Sequence, residues 1–482
     1  MNYGIIKRTI GFLLLFEAIF FLVPICTALI YQESEVYHFL IALLCCLGVG
    51  GLLLIGKPKS NAVYAKEGFV IVALCWIILS LFGALPLRFS GAYKTYIDAL
   101  FEIVSGLSTT GASVLTGEQV EALPKCILIW RSFTHWIGGM GVLVFIMVFL
   151  PLCSGGTNIN IMRAESPGPT VNKLVPKMRS TAGILYLIYA GLTVLEFIFL
   201  VFSMPLFDAI NMAFATAGTG GFAVRADGCA GYSPYSQVVI TVFMGLFSIN
   251  FASYYFILCG KIKDALNFEV RVFLGIVVTA ITLITLNLCV SNVYQYTTGE
   301  AVRHSAFSVL AIISTTGFST ENFDLWPSFS KSILVMLMFV GACAGSTGGG
   351  LKVSRIIILS KSATRETRRM LHPKQVKKIT MDKRAVDDET VRSIHGFFIA
   401  YIMLFILSLL IISLDGQSMT TNFTAVTATI NNIGPGLDAV SPAGNFGVFS
   451  WWSKIVFIFN MLVGRLEIFP MLVLFMPRTW KK

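Results

Sequence analysis

Four short polar runs recur along this sequence, and each is centred on a glycine. The glycines lie 110, 96 and 117 residues apart, so they fall in four comparable stretches of chain. Glycine adopts backbone angles that point successive carbonyl oxygens in one direction. Together with threonine hydroxyls, such oxygens can replace the water shell of an alkali cation. The runs contain Thr109, Thr110 and Gly111; Thr219, Gly220 and Gly221; Thr315, Thr316 and Gly317; and Asn432, Ile433 and Gly434.

The chemistry of these runs favours a monovalent over a divalent cation. One such run alone would be an ordinary glycine loop at a membrane surface, but four in register are typical of four quarters of one pore. None of the runs contains a carboxylate, whereas divalent cations are commonly selected by rings of Asp or Glu. The run around Gly220 lacks the GK[ST] ending of a phosphate loop, so no bound nucleotide or other organic cofactor is predicted.

The composition indicates an integral membrane protein. Of 482 residues, 56% are hydrophobic and 13% are charged, whereas soluble domains carry about 25% charged residues. The ten cysteines include no CxxC pair and the five histidines no HExxH spacing, so neither disulfides nor a zinc hydrolase is predicted. Most of the net charge of +11 lies in stretches that alternate with stretches poor in Lys and Arg. This positive-inside pattern places both termini in the cytoplasm and gives no support for nucleic-acid binding.

Ten apolar stretches are long enough to cross a bilayer, which takes about 20 helical residues. Four shorter ones lie between pairs of them and predict re-entrant pore helices near 96–109, 206–217, 303–315 and 419–431. The ten spans are predicted near 10–31, 38–56, 68–88, 127–151, 182–204, 236–259, 271–292, 331–358, 396–414 and 454–476.

The predicted fold is an all-α membrane protein with four parallel repeats around one pseudo-fourfold pore. Each repeat reads helix, pore helix, loop, helix, and two N-terminal spans precede the first. The expected boundaries are 1–60 for the two-span domain and 61–155, 156–262, 263–394 and 395–482 for the repeats. A polar residue stands 13 positions before each glycine: Asp98, Asp208, His304 and Thr421. Asp and Thr are good helix N-caps, so the three residues of these types are expected to cap the pore helices.

Two further features lie inside predicted spans. The span near 331–358 is interrupted by three consecutive glycines, which do not sustain a helix. We expect a flexible intramembrane loop below the four runs that can obstruct the pore, formed around Gly345, Ser346, Thr347, Gly348, Gly349 and Gly350. Arg465 lies within the last span, where a charge is costly and is a functional hypothesis by default. Its alternatives are a positive charge that lowers ion occupancy and a structural ion pair whose partner is not Glu467.

Residues 352–394 form a basic cytoplasmic segment, with twelve Lys and Arg against five acids. One interpretation is positive-inside topology with contact to anionic lipid headgroups. The other is a docking surface for a cytosolic regulator. The sequence leaves both open.

Three motifs resemble hallmarks of the TrkH/KtrB/HKT superfamily of cation transporters. They are His135–Gly141, Ala344–Lys352 and Gly464–Phe469, and the resemblance, with the four glycine runs, covers essentially the whole chain. The extra N-terminal spans resemble the TrkH branch. The resemblance implies a potassium uptake protein of the bacterial inner membrane, a homodimer with one pore per subunit, and a nucleotide-binding cytosolic partner of TrkA type. It implies filter roles for the four glycines, a gating role for Gly345–Gly350 and a place below the filter for Arg465.

The chain departs from the family pattern in two filter runs. The fourth reads Asn432-Ile433-Gly434 instead of a TTG-like run, and Ala223 stands in the second where serine is expected. In plant relatives a serine at the first filter position accompanies sodium preference, so Gly111 is the potassium-type residue. A gated pore competes with a proton- or sodium-coupled symporter, which often uses inverted repeats and titratable midplane sites. Parallel repeats without carboxylates in the runs favour the pore, and no nucleophile or metal cluster supports an enzyme.

Overall fold

The computed structural model describes residues 1–55, 65–141, 178–291, 296–373, 378–382 and 384–480. These residues form helices and one two-stranded antiparallel hairpin. The elements, in chain order, are α1 Tyr3–Phe20, α2 Leu22–Tyr31, α3 Val36–Leu54, α4 Ala65–Gly83, α5 Leu85–Phe89, α6 Tyr96–Leu107, α7 Gly117–Glu121, α8 Lys125–Gly139, α9 Met178–Val201, α10 Leu206–Ala217, α11 Pro234–Phe247, α12 Phe251–Leu258, α13 Ile262–Ala265, α14 Phe268–Ser291, α15 Thr298–Ile313, α16 Ser328–Val340, α17 Val353–Leu371, β1 Thr380–Met381, β2 Arg384–Ala385, α18 Asp388–Ile412, α19 Met419–Ile430, α20 Trp451–Arg465, α21 Phe469–Phe475 and α22 Pro477–Trp480.

The chain is a helical, multi-pass membrane protein. Within the described ranges, six helices are long and apolar enough to cross a bilayer, or seven if one bent pair counts as a single span. The six are Tyr3–Tyr31, Val36–Leu54, Lys66–Phe89, Ala182–Val201, Phe268–Ser291 and Asp388–Asp415. Many of their leucine, isoleucine and valine side chains are exposed, as expected of surfaces that face lipid tails. The prediction of ten spans remains a prediction, because several predicted spans are divided into shorter helices.

The two N-terminal spans pack closely against each other. A Cβ atom built on Gly11 of α1 would lie 3.0 Å from the carbonyl oxygen of Gly50 in α3. Lipid tails are as apolar as the helix side chains, so the hydrophobic effect does not drive helices together inside a membrane. Close backbone approach at small residues is therefore a main source of packing energy between membrane helices. Glu17 of α1 is buried in this domain, with its carboxylate 3.9 Å from the sulfur of Cys46.

The four helices predicted as pore helices, a name kept for them below, are α6, α10, α15 and α19, with 12, 12, 16 and 12 residues. At 1.5 Å per residue they are too short to cross a bilayer, as predicted. The expected capping role was wrong, because the N-cap residues lie earlier in the chain. They are Thr95, Pro205, Thr297 and Ser418, so that Asp98, Asp208 and Thr421 are the third helical residues and His304 the seventh.

The residues 13 positions before the glycines bind segments that follow a filter run. Asp98 accepts from Lys454 at 2.6 Å, and Asp208 from Tyr232 at 3.1 Å. His304 hydrogen-bonds to Thr320 at 2.9 Å, and Thr421 donates to Asp438 at 2.8 Å. These bonds join the N-terminal part of each of the four helices to chain that follows a glycine run, and for Asp98 that chain is α20.

The predicted second long helix of each repeat ends or is interrupted in the structure. The predicted spans 236–259 and 454–476 each contain a break: α11 and α12 are bent by 92°, and 466–468 separate α20 from α21. The predicted interruption of the third repeat is present as 341–352, between α16 and α17. In the first repeat α8 ends at Gly139, and residues 142–151 of the predicted span lie outside the described residues.

Candidate functional site

Each pore helix ends in a residue with left-handed backbone angles two positions before its glycine. The φ angles are 58° at Thr109, 54° at Thr219, 61° at Thr315 and 55° at Asn432. Glycine is the usual residue at such a helix end, and a β-branched threonine there is strained by roughly 1–3 kcal/mol. Strain repeated at three equivalent threonines indicates a site that requires their side chains.

The glycines of the runs also have positive φ, so the sign of φ alternates along each run. Their φ angles are 79° at Gly111, 77° at Gly221, 76° at Gly317 and 97° at Gly434. Backbone amides of the runs return to the pore helices, as from Thr110 to Ser105 and from Gly220 to Ala215, both at 2.8 Å. With amides satisfied by the helix, the carbonyl oxygens of the runs remain available as ligands.

The four runs meet in a closed ring. A Cβ atom built on Gly111 would lie 1.9 Å from the carbonyl oxygen of Gly220, and one on Gly221 2.0 Å from that of Thr316. A Cβ on Gly317 would lie 1.9 Å from the oxygen of Ile433, and one on Gly434 2.7 Å from that of Thr110. Each run therefore abuts the next in the order one, two, three, four and back to one. Only glycine fits these positions.

The fourth run is joined to the first by a side chain. The amide nitrogen of Asn432 donates to the hydroxyl of Thr110 and to the carbonyl of Met461, both at 2.9 Å. Asparagine also tolerates left-handed angles better than most residues. The departure of this run from a TTG-like sequence thus retains both the backbone shape and a polar contact across the ring.

A cavity of about 130 Å³ lies on the side of the ring away from the intramembrane loop, and all four glycines line it. Arg131 and Arg225 also line this outer cavity, where free cations would repel a cation. Arg131 is neutralised by a buried ion pair with Glu102 at 2.7 Å, and Arg225 pairs with Asp208 at 3.3 Å. At the surface nearby, hydrogen bonds from Ser418 and Thr421 hold the pKa of the Asp438 carboxyl below its ordinary value.

The first resemblance motif supports the second run. His135 is fully buried, its Nδ1 lies 2.9 Å from the carbonyl oxygen of Gly106, and its ring packs against Phe222 at 4.3 Å. A Cβ on Gly220 would lie 2.0 Å from His135 Nδ1. This histidine therefore lies between the end of α6 and the second run and contacts both, so it positions the one against the other.

The intramembrane loop, residues 341–352, lies against the inner side of the ring. The amide of Gly349 donates to the Thr315 hydroxyl at 2.6 Å, and the amide of Gly350 to the Asn431 carbonyl at 3.1 Å. Phe251 donates its amide to the Gly345 carbonyl at 3.0 Å. The loop is thus hydrogen-bonded to the second, third and fourth repeats, and the flexibility expected from its glycines requires these bonds to break.

Arg465 connects this loop to the first repeat. Its guanidinium donates to the Thr347 carbonyl at 2.9 Å, to the Gly139 carbonyl at 2.6 Å and to the Gly138 carbonyl. The last two carbonyls lie at the end of α8, where carbonyl groups lack the usual helical donor, and that of Gly138 also accepts from the Gly141 amide at 3.1 Å. Arg465 therefore links the loop to the end of α8 by hydrogen bonds. It is not an isolated positive charge below the ring.

A second set of charges holds the ends of the loop. Glu467 pairs with Arg355 of α17, so it is not the partner of Arg465, as predicted. Lys352 donates to the Gly348 carbonyl, and Glu269 accepts from the amides of Ala344 and Ser354 at 2.7 and 3.1 Å. A cavity of about 140 Å³ remains between the loop, the end of α8 and the 464–467 segment.

A model of the TrkH family, described as a cation transport protein, matches residues 35–482. The chain belongs to this TrkH family. The Trk system potassium uptake proteins TrkH of Salmonella typhimurium strain LT2 and of Escherichia coli strain K12 are each 38% identical to it over the full length of both chains. The crystal structure of the potassium transporter TrkH from Vibrio parahaemolyticus superposes with a TM-score of 0.88 at 33% identity, covering all of both chains. The resemblance inferred from three motifs and four runs is confirmed for the family.

Proposed function

We propose that this TrkH family member takes up potassium through a gated pore, as the pore-forming subunit of a Trk-type system. The names of its relatives support potassium as the substrate. The observation that carries the proposal is the closed ring of Gly111, Gly221, Gly317 and Gly434 beneath one outer cavity. A ring of main-chain oxygens from four repeats is the arrangement that dehydrates an alkali cation.

The ion is bound, in this proposal, by carbonyl oxygens of the twelve run residues and by threonine hydroxyls. The Thr109 hydroxyl supports this, because it is buried and has no hydrogen-bond partner in the described part of the chain. A buried unsatisfied oxygen costs roughly 1–3 kcal/mol unless a ligand uses it. The pore helices add the negative ends of their dipoles, since their C-termini face the ring.

The proposed gate is the intramembrane loop from Gly345 to Gly350, held closed by Arg465. The hydrogen bonds of Gly349, Gly350 and Thr347 support a closed state in which the loop covers the inner face of the ring. Opening then requires the loop to exchange these bonds for water. Because irregular backbone at membrane depth must be buried or line water, a water-filled inner passage is the compatible open state.

The remaining features of the system follow from topology and family likeness. We infer a location in the bacterial inner membrane with both termini cytoplasmic, because the basic stretches fall on one side. Assembly as a homodimer and control by a TrkA-type nucleotide-binding subunit are further proposals from family likeness. The residue boundaries of the four repeats are likewise proposals, supported by the equivalent pore helices and runs.

Ion flux and current from purified protein test the proposal. Protein reconstituted into planar bilayers, with the regulatory subunit and nucleotide supplied on the cytoplasmic side, is expected to give discrete potassium currents. Current reversal near the potassium equilibrium potential would support the pore. Saturable potassium flux that requires a proton or sodium gradient, without unitary currents, would instead establish a symporter.

A further inference from the structure

A basic pocket lies on the side of the chain where the spanning helices α14 and α18 begin. Its volume is about 280 Å³, and its lining includes Lys361, Arg365, Arg368, Arg369 and Lys378. We call these five residues and the cavity between them the basic pocket. Helix α17 and the chain leading into β1 form its walls. Among the residues that the structure describes, no carboxylate lines it, so the lining groups attract an anion.

The hydrogen bonds of the pocket fix its walls without neutralising its charge. Lys361 donates to the Thr380 carbonyl at 2.7 Å, which attaches the hairpin to α17. Arg365 pairs with Glu366 at 3.3 Å and lies 3.7 Å from Asp388, and Arg369 lies 3.8 Å from Glu366. The Glu366 carboxylate therefore offsets part of the charge of these two arginines, at separations longer than those of a good ion pair. No ion pair in the described ranges includes Arg368 or Lys378, so two cations are left for a ligand.

The pocket lies at the level where two spans enter the bilayer. Lys361 sits 4.5 Å from the ring of Phe268, the first residue of the spanning helix α14. Arg365 contacts Asp388, the first residue of the spanning helix α18. The Asp382 carboxylate in the hairpin accepts the Phe268 amide at 2.8 Å. Two span ends and the hairpin therefore place the basic pocket at headgroup depth.

The end of α17 has a surface suited to lipid. Met370 and Leu371 are 83% and 72% exposed and adjoin Arg368 and Arg369. Exposed apolar side chains beside arginines are typical of helices that lie in the membrane interface. A soluble anion would use the cations alone, whereas a phospholipid uses the cations and also covers these apolar side chains.

We propose that the basic pocket binds the phosphate headgroup of an anionic phospholipid from the inner leaflet. Arg368 and Lys378 bind the phosphate, while Met370 and Leu371 contact the acyl chains. Helix α17 begins at the end of the intramembrane loop, so the bound lipid holds the helix that follows the gate. Basic pockets at the cytoplasmic ends of membrane helices are suited to such headgroups.

Lipid binding to the detergent-purified full chain tests this proposal. Native mass spectrometry would be used to titrate the protein with phosphatidylglycerol, with phosphatidylcholine as the zwitterionic arm and inorganic phosphate as the free-anion arm. The double variant Arg368→Ala/Lys378→Ala is expected to weaken phosphatidylglycerol binding roughly 30-fold, given about 1 kcal/mol for each cation near a membrane surface. Phosphatidylcholine binding should not change.

The matched control is Lys261→Ala/Lys263→Ala, which removes two exposed cations near the ends of α12 and α14, outside the pocket lining. It should retain phosphatidylglycerol binding. Equal loss in both double variants would show dependence on net charge alone and overturn the site. Unchanged phosphatidylglycerol binding in the pocket variant would overturn the lipid site in favour of a docking surface for a protein partner. Binding of inorganic phosphate but not of phosphatidylglycerol would show that the ligand is a free anion and would overturn the proposal of a bound lipid. Since no readout involves ion flux, failure here leaves the proposed pore untouched.

Discussion

The amide of Gly349 donates a hydrogen bond to the hydroxyl of Thr315 at 2.6 Å. This bond joins the loop 341–352 directly to the third glycine run, whose backbone is strained at the same threonine. A change in the loop therefore alters a residue of the ring itself. The proposed gate and the proposed ion site thus share one hydrogen bond, which mutation of Thr315 can remove.

Replacing Thr315 by valine should increase the open probability of the pore. The shape of the side chain is kept, but Gly349 loses its acceptor, at a cost of roughly 1–3 kcal/mol to the closed state. Single-channel recording would measure the change, expected to be about fivefold or more. Thr219→Val is the control, because the Thr219 hydroxyl donates to the Gly218 carbonyl and not to the loop. Equal effects of both variants would refute a specific contact with the gate.

Replacing Gly111 by serine should lower the preference for potassium over sodium. A Cβ there would lie 1.9 Å from the Gly220 carbonyl oxygen and must push it away from the ring. We expect a fall of roughly tenfold in the permeability ratio, since an ångström-scale shift of one ligand is worth about 1.4 kcal/mol or more. Bi-ionic reversal potentials would measure it.

Gly91→Ser provides the control for that substitution. Gly91 has a φ of 74°, close to that of Gly111, but a Cβ on it meets no atom within 4 Å. The backbone strain is therefore similar and the steric clash is absent. If Gly91→Ser changed ion preference as much as Gly111→Ser, the effect would belong to strain or folding and not to the ring.

Arg465→Lys and Arg465→Gln separate the charge of Arg465 from its hydrogen bonds. A lysine keeps the charge but cannot reach three carbonyls in the fixed geometry of a guanidinium. If Arg465 acts by joining the loop to α8, both variants should raise open probability several-fold. A charge that merely repels ions predicts a different pattern, with unchanged gating in the lysine variant and a larger unitary conductance in the glutamine variant. Unitary conductance and open probability from the same recordings decide between them.

Replacing Glu102 by glutamine should destabilise the protein severely. Arg131 and Glu102 are 2% and 0% exposed, and the Glu102 carboxylate also binds the amide of Val114 beyond the first run. Removing one partner of a buried ion pair costs about 3–5 kcal/mol. Thermal unfolding in detergent would detect the loss. Asp388→Asn is the control, because Asp388 is 77% exposed and its ion pair with Arg365 contributes little. Similar unfolding temperatures of both variants would argue against a stabilising role of the Arg131–Glu102 ion pair.

The Asp438 contact predicts a dependence of stability on acid pH. Hydrogen bonds from Ser418 and Thr421 lower the pKa of its carboxyl, so the folded state binds this proton less readily than the unfolded chain. This contact stabilises the folded state at pH values above the ordinary aspartate pKa of about 3.9. The stabilisation is lost as the pH falls through the lower pKa of the folded state. The wild type should therefore unfold at higher temperature than Asp438→Asn at pH 6, and the difference should shrink below about pH 4. A difference that is independent of pH would contradict this contact.

The glycine runs and pore helices were predictable because their signals are local. Each helix is short, and each run has its glycine at a fixed distance from a polar residue. The ring itself needed coordinates, since it depends on contacts such as Gly434 with Thr110, more than three hundred residues apart in sequence. The positive φ of Thr109, Thr219 and Thr315 was not predictable from residue type, which disfavours that conformation.

The helix breaks at 248–250 and 466–468 were missed because each lies inside a long apolar stretch, in which a few polar residues do not end a predicted span. Tertiary contacts stabilise the first break: the Ser248 carbonyl accepts from Cys343, and the Phe251 amide donates to Gly345. The one local signal was Asn250, whose side chain caps α12 through the amide of Ala252 at 2.8 Å. The partners of Arg465 were missed for a related reason. They are backbone carbonyls of Thr347 in the loop and of Gly138 and Gly139 at the end of α8, and no side-chain pattern marks them.

The position of a bound ion tests the central claim most directly. Crystals of the protein grown with thallium or rubidium in place of potassium would give an anomalous signal for the ion. The account predicts density on the axis enclosed by Gly111, Gly221, Gly317 and Gly434, within ligand distance of run carbonyl oxygens. Ordered density only at carboxylates elsewhere in the membrane, with none inside the ring, would contradict it.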